Sequence, residues 1–229
     1  MEPATAPRGE RRTTVVQVGA LRLEGASAFA ALVVILAAIV ALVAWRGLPR
    51  WPVIASGMLW IAFTSYWSAA AKNAAPTQSS ESAASRRTHV RLLNTAFVFL
   101  FFLPFSVLGR RFVPDTPWLV ALGLGMQIGA GVLGVSARRH LGRNWSGAIT
   151  VAQDHQLVTS GPYRVLRHPI YVAMIGMFAG SAIAIGKWHA LIAVALIIAA
   201  YTRKIPLEEQ SLRRVFGPAY DDYRRARRF

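Results

Sequence analysis

The sequence predicts an all-α integral membrane protein with about five to six transmembrane helices. Hydrophobic residues make up 54% of the 229 residues and charged residues only 16%, whereas soluble domains carry about a quarter charged residues. The apolar residues also fall in blocks, several of them near the roughly 20 residues that a helix needs to cross a bilayer. A functional site in such a chain must therefore be built from loops and helix ends at a membrane face.

The net charge of +16 is distributed in a way that argues against nucleic acid as a partner. The Arg residues lie between and after the apolar blocks, as charges that orient a membrane protein do. The chain contains no Cys, which excludes disulfides, a thiolate nucleophile and cysteine-ligated metals. The His residues follow no regular metal-ligand spacing, so the sequence predicts no metal site.

The N-terminal part divides into a basic arm, residues 1–25, and a block of four predicted transmembrane helices within residues 26–136. The four spans are, in order, 26–45, 53–71, 92–108 and 118–136. The first span is of full length and follows a polar stretch, so it is interpreted as a membrane anchor and not as a cleaved signal. In the fourth span Gly125 and Gly129 share one helix face, which favours close helix packing over a ligand groove.

Residues 137–229 form the third predicted region, with a loop, a helical hairpin and a tail. The hairpin consists of two short apolar runs, 172–186 and 188–201. At about 1.5 Å per residue each run spans only about 21–23 Å, less than a hydrocarbon core of about 30 Å. The tail is predicted as two interfacial helices, one beginning at Pro206 and the other after the Gly217-Pro218 pair.

Positive charge predicts the orientation of these spans. If the hairpin crosses twice, 21 of the 26 Lys and Arg residues lie on the side of the N-terminus and five on the other side. Positive charge accumulates in cytoplasmic loops. We therefore expect both termini and the loop after residue 137 on the cytoplasmic face, in a bacterial inner membrane suggested by the composition rich in Ala and Arg.

The segment 155–171 concentrates polar and conformationally restricted residues between apolar blocks. Gly161-Pro162 predicts a turn, and Pro169 directs the residue before it toward an extended conformation. These two bends bring Tyr163, Arg164, Arg167 and His168 toward one small volume. The alternative interpretation is a loop whose Arg residues only orient the protein in the bilayer.

Two adjacent carboxylates, Glu208 and Glu209, follow the predicted hairpin. One interpretation is structural, because acidic residues stabilise a helix N-terminus and can form ion pairs with Arg203 or Lys204. The other interpretation is that one of the two carboxylates binds a cationic group of a ligand. If the hairpin closes, Arg167 and Tyr171 become their neighbours. A pocket with both signs of charge beside apolar walls suits a zwitterionic cofactor and a lipidic substrate.

A set of motifs in the C-terminal part resembles the isoprenylcysteine carboxyl methyltransferase family, which is similar to bacterial phospholipid methyltransferases. The motifs cover roughly residues 138–229, and their order and spacing are more specific than any single one. They are L-G-R-N-W-S at 141–146, H-Q-L-V at 155–158, G-P-Y-R at 161–164, R-H-P-x-Y at 167–171, E-E-x-x-L at 208–212 and F-G-x-x-Y-x-x-Y at 216–223.

This resemblance implies S-adenosylmethionine as methyl donor, with S-adenosylhomocysteine as product, bound at the cytoplasmic face. It implies a set of cofactor-binding residues: His155, Leu157, Gly161, Tyr163, His168, Pro169, Tyr171, Glu208 and Glu209. It also implies catalytic roles for Arg167, Glu209 and Tyr171, and substrate contacts for Arg167, Arg203 and Trp145.

The acceptor predicted from the resemblance is a small lipophilic or prenylated molecule, most simply the carboxylate of an isoprenylcysteine-like substrate. A phospholipid, another amine or a thiol remains an alternative acceptor, and such an acceptor requires a base for its proton. A different class is a non-enzymatic scaffold that binds anionic lipids through its basic faces. A transporter is disfavoured because the spans contain almost no ionisable residues.

Overall fold

The computed structural model describes residues 15–18, 21–24, 50–72, 78–79, 81–101, 107–145, 150–151 and 157–227. The chain divides into two compact units, residues 1–50 and 51–229. In the first unit, strands β1 (Val15–Val18) and β2 (Leu21–Glu24) pair antiparallel, with Val15 opposite Glu24. The predicted first span, 26–45, lies outside the described residues.

From Arg50 onward, the described residues contain six α-helices. Their bounds are Arg50–Ala71 (α1), Ala83–Phe101 (α2), Pro117–Leu141 (α3), Pro169–Ile185 (α4), Trp188–Phe216 (α5) and Pro218–Ala226 (α6). Two 3₁₀ turns, Gly142–Asn144 and Gly161–Arg164, lie between α3 and α4. Two-residue strands β3 (Gln78–Ser79) and β4 (Thr150–Val151) pair antiparallel.

These helices confirm the predicted all-α membrane fold. In the described residues, three helical segments are long and apolar enough to cross a membrane: Trp51–Ala71, Pro117–Asn144 and Trp188–Phe216. Helix α4 is a shorter apolar helix beside them. Since α1 to α5 alternate in direction, α1, α3 and α5 end where α2 and α4 begin, and we call this end of the bundle the site end.

Helices α3 and α4 approach each other closely through glycines. A Cβ on Gly123 would lie 2.6 Å from the Gly180 carbonyl oxygen, and a Cβ on Gly180 would lie 2.6 Å from the Gln127 nitrogen. In the described residues, the close approach lies at Gly123 and not at the predicted Gly125 and Gly129. A Cβ at either of these two positions meets no described atom within 4 Å, because the face that packs on α4 carries Gly123, two positions earlier in the chain.

A buried polar cluster ties α1 to the same helix pair. The Ser56 hydroxyl donates to Ser181 Oγ at 2.9 Å, and the Trp60 indole N–H donates to the same oxygen at 3.0 Å. The Gln127 amide donates to the Ser56 carbonyl oxygen at 3.0 Å. These contacts fix α1, α3 and α4 against one another, because polar groups without partners in an apolar interior are costly.

The far end of the bundle is closed by the turn that joins α4 to α5. Gly186 adopts φ +70° after the last residue of α4, and its carbonyl oxygen accepts the Phe112 backbone N–H at 2.9 Å. Arg111 donates to the Ile185 carbonyl oxygen at 3.3 Å. The connection after α2 therefore caps the α4 C-terminus, whose last carbonyls have no partner within the helix.

Helix α2 begins earlier than predicted, because Ser82 acts as its N-cap. The Ser82 hydroxyl accepts the backbone N–H of Ser85 at 3.2 Å, which satisfies one of the free donors of the first turn. The segment 72–91, which separates the predicted second and third spans, is thus helical from Ala83 onward.

Helix α5 also differs from the prediction, since it runs unbroken through Pro206 to Phe216. Its 29 residues correspond to roughly 43 Å, so the second limb of the hairpin is long enough to cross. Pro206 removes one backbone donor, but contacts of Glu209 with Arg167, just before α4, and of Glu208 with Tyr171, in its first turn, hold the helix beyond it. The predicted break at Gly217-Pro218 is confirmed, because α6 begins at Pro218.

Candidate active site

The segment that leads into α4 positions the first set of polar side chains. Gly161 has φ +58°, and a Cβ there would lie 2.2 Å from the His140 ring, so only glycine fits this turn. Pro169 occupies the first turn of α4, with His168 in a non-helical conformation before it. Arg167, His168 and Tyr171 are therefore presented at the site end, within one turn of the α4 N-terminus.

Glu209 on α5 is the centre of an ionic cluster with this segment. Its Oε1 lies 2.6 Å from Arg167 Nη1 and 3.3 Å from His168 Nε2, and its Oε2 lies 3.4 Å from Arg224 Nε on α6. The Glu209 side chain is only 17% exposed. Partly buried, charge-assisted contacts of this kind are stronger than surface ion pairs.

Glu208, its neighbour, bonds to the other side of the same segment. The Tyr171 hydroxyl donates a short hydrogen bond to Glu208 Oε2, and His168 Nδ1 lies 3.7 Å from the same oxygen. The Tyr171 ring stacks on Tyr201 with ring centres 4.4 Å apart and lies parallel to the His168 ring at 5.4 Å. His168 thus lies between the two carboxylates and contacts both.

Helix α6 covers this region with two buried tyrosines. The Tyr223 hydroxyl donates to the Tyr163 carbonyl oxygen at 2.9 Å and contacts that of Leu166 at 3.3 Å. The Tyr220 hydroxyl is buried and has no hydrogen-bond partner in the described part of the chain. Burial, with Glu209 nearby, raises the pKa of Tyr220, and burial together with Glu208 raises the pKa of Tyr163. Both phenols therefore stay protonated and can donate.

These groups surround one end of a cavity of about 450 Å³ that lies between the helices. Its polar end is lined by Arg167, His168, Tyr171, Lys204, Glu208 and Tyr220. Aromatic and aliphatic side chains form the remainder of the wall, including Trp60, Phe63, Trp67, Leu93, Phe97 and Met174. A cavity with charges of both signs at one end and apolar walls elsewhere fits an amphipathic pair of ligands.

Most of the residues that the sequence singles out meet at this cavity. Those that line it are Trp145, Leu157, Tyr163, Arg167, His168, Tyr171 and Glu208. Glu209 contacts two of them, and Gly161 and Pro169 shape the backbone beside it. Arg203 is an exception, because its side chain is exposed and donates to Ser85 Oγ at 3.1 Å. His155 lies outside the described residues.

Sequence reasoning missed several lining residues. Lys204 is buried beside Arg203 and lines the cavity in its place, because the helix turns through about 100° per residue. Trp67 and His89 reach the cavity from α1 and α2, which carry none of the motifs. Two features of the sequence could have indicated these residues. They are the Lys inside an apolar helix and the pair Trp60 and Trp67, which are spaced to lie on one helix face.

Together, the fold and this cavity define an integral membrane protein with a candidate binding site between the helices at one end of the bundle. Residues 118–219 match the family described as Phospholipid methyltransferase. Protein-S-isoprenylcysteine O-methyltransferase B from Arabidopsis thaliana is 30% identical over 109 residues, 46% of this chain and 55% of the relative. A probable protein-S-isoprenylcysteine O-methyltransferase from Oryza sativa subsp. japonica is 31% identical over 110 residues, 46% of this chain and 58% of the relative.

The yeast relative is similar over a shorter segment. Protein-S-isoprenylcysteine O-methyltransferase from Schizosaccharomyces pombe is 32% identical over 74 residues, 32% of this chain and 31% of the relative. The chain spans a little over half the length of the two plant relatives. Residues 118–219, which hold most of the candidate site, match the model of the phospholipid methyltransferase family, and the predicted resemblance to isoprenylcysteine carboxyl methyltransferases is confirmed.

Proposed function

We propose that this protein is a membrane methyltransferase that transfers a methyl group from S-adenosylmethionine to a lipophilic acceptor. The observation that carries the proposal is the pairing of Glu208 and Glu209 with Tyr171 and Arg167 at the polar end of an apolar cavity. This pairing lies within the residues that match the family. The membrane helices and the named relatives support the same assignment.

The chemistry of the polar end fits the methyl donor. S-adenosylmethionine carries a sulfonium, an ammonium and a carboxylate, and it supplies an activated methyl group when bound. Glu208 and Glu209 match its cationic groups, and one of the two cations at this end, Arg167 or Lys204, matches its carboxylate, which leaves the other cation for the acceptor. Two buried polar atoms, Arg167 Nε and Tyr220 Oη, have no partner in the described residues. Such atoms are costly unless a ligand or water satisfies them.

The residues proposed to hold the cofactor are those of the loop and the two helices around this end. Leu157, Tyr163, His168 and Tyr171 line the cavity there with Glu208, and Glu209 orients Arg167 and His168. By resemblance, His155, Gly161 and Pro169 belong to the same set. Trp145 lies on the cavity wall and keeps its proposed role in substrate binding, whereas the exposed position of Arg203 transfers that role to Lys204.

The apolar wall supports a lipophilic acceptor. Trp60, Phe97 and Phe178 pack edge-on with ring centres 4.7–4.9 Å apart, and Trp67 meets Trp145 at 5.5 Å. An alkyl or prenyl chain gains about 25 cal/mol per Å² of apolar surface that it buries here. The reactive head of the acceptor then faces Arg167 at the polar end.

A carboxylate acceptor, as in an isoprenylcysteine-like substrate, is the form we favour. A carboxylate is already ionised at neutral pH, so the enzyme needs to orient it and exclude water but not to remove a proton. Arg167 provides a planar guanidinium suited to a carboxylate. Its position is fixed by Glu209, which therefore acts on the reaction through Arg167.

A phospholipid amine is the second candidate acceptor, because the matched family is described as Phospholipid methyltransferase. The nucleophile is then a neutral amine or a thiolate, so a base must take a proton from the ammonium or the thiol. His168, which contacts both carboxylates, is placed to do so. The non-enzymatic scaffold is the remaining class, and it predicts that S-adenosylmethionine does not bind at all.

We further propose that the site end faces the cytoplasm of a bacterial cell, with the protein in the inner membrane. The support is the distribution of positive charge, with 21 of the 26 Lys and Arg residues in segments assigned to that side. The methyl donor is made in the cytoplasm, so this orientation gives the cofactor direct access to the cavity.

Calorimetric titration of detergent-purified protein with S-adenosylmethionine and S-adenosylhomocysteine tests the cofactor and its site. We expect micromolar binding to the wild type and at least about tenfold weaker binding to Glu208→Gln and Glu209→Gln, since a charged hydrogen bond is worth about 1.5–3 kcal/mol. Asp222→Asn, which alters an exposed carboxylate paired with Arg225, is the matched control and should bind as the wild type does. Folded wild type that binds neither ligand would favour the lipid-binding scaffold.

A further inference from the structure

A second cavity at the site end is lined by four cationic side chains. It has a volume of about 610 Å³ and lies between the C-termini of α1 and α3. Its described lining consists of Tyr66, Ala70, Lys72, Arg138, Arg139, Gly142 and Arg143. No acidic residue is among these, and we call this cavity the basic pocket.

Arg138 lines the basic pocket, and its guanidinium binds backbone carbonyls at the C-terminal ends of both α1 and α3. It is 2% exposed, and its guanidinium donates to the Ala70 carbonyl oxygen at 2.6 Å and to the Gly142 carbonyl oxygen at 2.7 Å. It also stacks over the Trp145 ring at 4.4 Å. One cation thus satisfies carbonyls at the ends of α1 and α3, where helix dipoles favour positive charge.

In the described residues, none of the other three cations donates a hydrogen bond to a carbonyl at these helix ends. Lys72, Arg139 and Arg143 are exposed, and none forms an ion pair with an acidic residue in the described part of the chain. Arg139 lies over the Tyr66 ring at 5.9 Å. Three like charges around one opening repel each other, and an anion that enters the opening relieves that repulsion.

The setting of the basic pocket identifies the kind of anion. Along α1 and α3, apolar side chains such as Met58 and Val132 are exposed at 65% and 64%, as expected of helix faces in contact with lipid chains. Tyr66 lies near the C-terminal end of α1, and aromatic residues are enriched where helix ends meet the membrane–water interface. A molecule with a phosphate head and apolar tails matches both the pocket and the helix faces that lead to it.

We propose that the basic pocket binds the phosphate headgroup of an anionic phospholipid, separately from the cavity of the proposed active site. Lys and Arg groups between membrane helices recognise such headgroups by charge and by hydrogen bonds to phosphate oxygens. The two cavities are adjacent, because Arg138 of the basic pocket packs on Trp145, which lines the cavity of the proposed active site.

Native mass spectrometry of the purified protein with dioleoyl-phosphatidylglycerol and dioleoyl-phosphatidylcholine tests this proposal. The two lipids have the same chains, so a preference for phosphatidylglycerol reports the headgroup. We expect such a preference in the wild type and its loss in Lys72→Ala/Arg139→Ala/Arg143→Ala, with binding weaker by about tenfold to a hundredfold.

The matched control is Arg86→Ala/Arg87→Ala/Arg91→Ala, which removes the same charge from exposed positions near the start of α2. It should keep most of the preference, and an equal loss in both triple variants would overturn the pocket in favour of a general surface field.

Inorganic phosphate at millimolar concentration should not displace the lipid. If phosphate alone binds as tightly, the site takes a free anion and the lipid assignment is wrong. Unchanged S-adenosylhomocysteine binding in both variants would show that they are folded.

Discussion

Tyr220 and Tyr223 on α6 are both buried over the proposed active site, but their hydroxyls differ in hydrogen bonding. The Tyr223 hydroxyl has two backbone carbonyl oxygens as neighbours, whereas the Tyr220 hydroxyl has no partner in the described residues. An unsatisfied buried hydroxyl reduces stability unless a ligand supplies the missing bond. The contrast allows a ligand-binding role to be separated from a structural one.

We expect Tyr220→Phe to leave the unliganded protein as stable as the wild type or slightly more stable. S-adenosylhomocysteine should bind to it about three- to tenfold more weakly, because the phenol is then missing from the polar end. Tyr223→Phe should behave in the opposite way, with stability lowered by about 1–2 kcal/mol. Thermal unfolding and calorimetry of the two variants measure both effects. A clear loss of stability in Tyr220→Phe would mean that its hydroxyl is structural.

His89 links the cavity to the pH dependence of stability. Its side chain is 6% exposed in the basic first half of α2, and burial together with the nearby charge of Lys204 lowers its pKa from 6.5 to about 4. The unfolded chain therefore takes up a proton near pH 6.5, whereas the folded protein does so only near pH 4. Stability present above pH 6.5 is lost as the pH falls through this window.

We predict that acidification from pH 7 to pH 5 lowers the melting temperature of the wild type more than that of His89→Gln. The difference between the pKa of His89 in the unfolded chain and in the folded protein corresponds to about 3 kcal/mol of folding stability over the full titration. His140→Gln is the matched control, since His140 is exposed and the variant should respond to acid as the wild type does. Equal acid sensitivity of wild type and His89→Gln would remove His89 as the cause.

At the scale of single residues, the motifs of the C-terminal part predicted the polar end of the site well. Arg167, His168, Tyr171 and Glu208 meet there because the turn before α4 and the late part of α5 are adjacent in the bundle. Tyr220 and Lys204 were missed for a physical reason. Whether a helical residue points inward depends on how the whole helix is rotated, and one step along the chain exchanges Arg203 for Lys204.

At the scale of elements, the packing of α3 on α4 shows what a spacing pattern does not determine. Gly125 and Gly129 satisfy the small-residue pattern, yet a Cβ at either meets no described atom within 4 Å, and Gly123 contacts the facing backbone instead. A spacing of four residues defines a face of a helix but not its partner. The sequence likewise did not predict that α5 continues through Pro206. The contacts of Glu208 and Glu209 outweigh the local effect of proline, and their partners are distant in the sequence.

Gly123 and Gly125 offer a matched pair of substitutions on α3, because Gly123 lies against the backbone of α4 and Gly125 does not. A methyl group at Gly123 would lie 2.5 Å from the Ala184 nitrogen, so Gly123→Ala must separate α3 from α4. We expect it to cost about 1–3 kcal/mol, whereas Gly125→Ala should leave stability unchanged or raise it by up to about 1 kcal/mol. Thermal unfolding in detergent, followed by tryptophan fluorescence, measures both. Equal effects would contradict the observed helix contact.

At the scale of the whole molecule, the course of α5 connects the two ends of the bundle. Its first residue, Trp188, is 49% exposed beside the turn that Arg111 caps, and its last turns carry the carboxylates of the proposed active site. The helix is roughly 43 Å long, more than the roughly 30 Å of a hydrocarbon core. The hairpin of α4 and α5 is therefore expected to cross the membrane fully, although each predicted apolar run was short.

The absence of cysteine from the chain makes this crossing directly testable, because each introduced thiol is the sole one. We predict that Trp188→Cys reacts with a membrane-impermeant maleimide on intact spheroplasts, whereas Arg225→Cys reacts only after the membrane is opened. Both positions are exposed, so a difference in labelling reports the side of the membrane and not burial. Reaction of both from the cytoplasmic side alone would make the hairpin re-entrant, and reaction of Arg225→Cys from outside would invert the proposed orientation. The expected result places Glu208 and Glu209 on the face where the methyl donor is made, as the charge distribution requires.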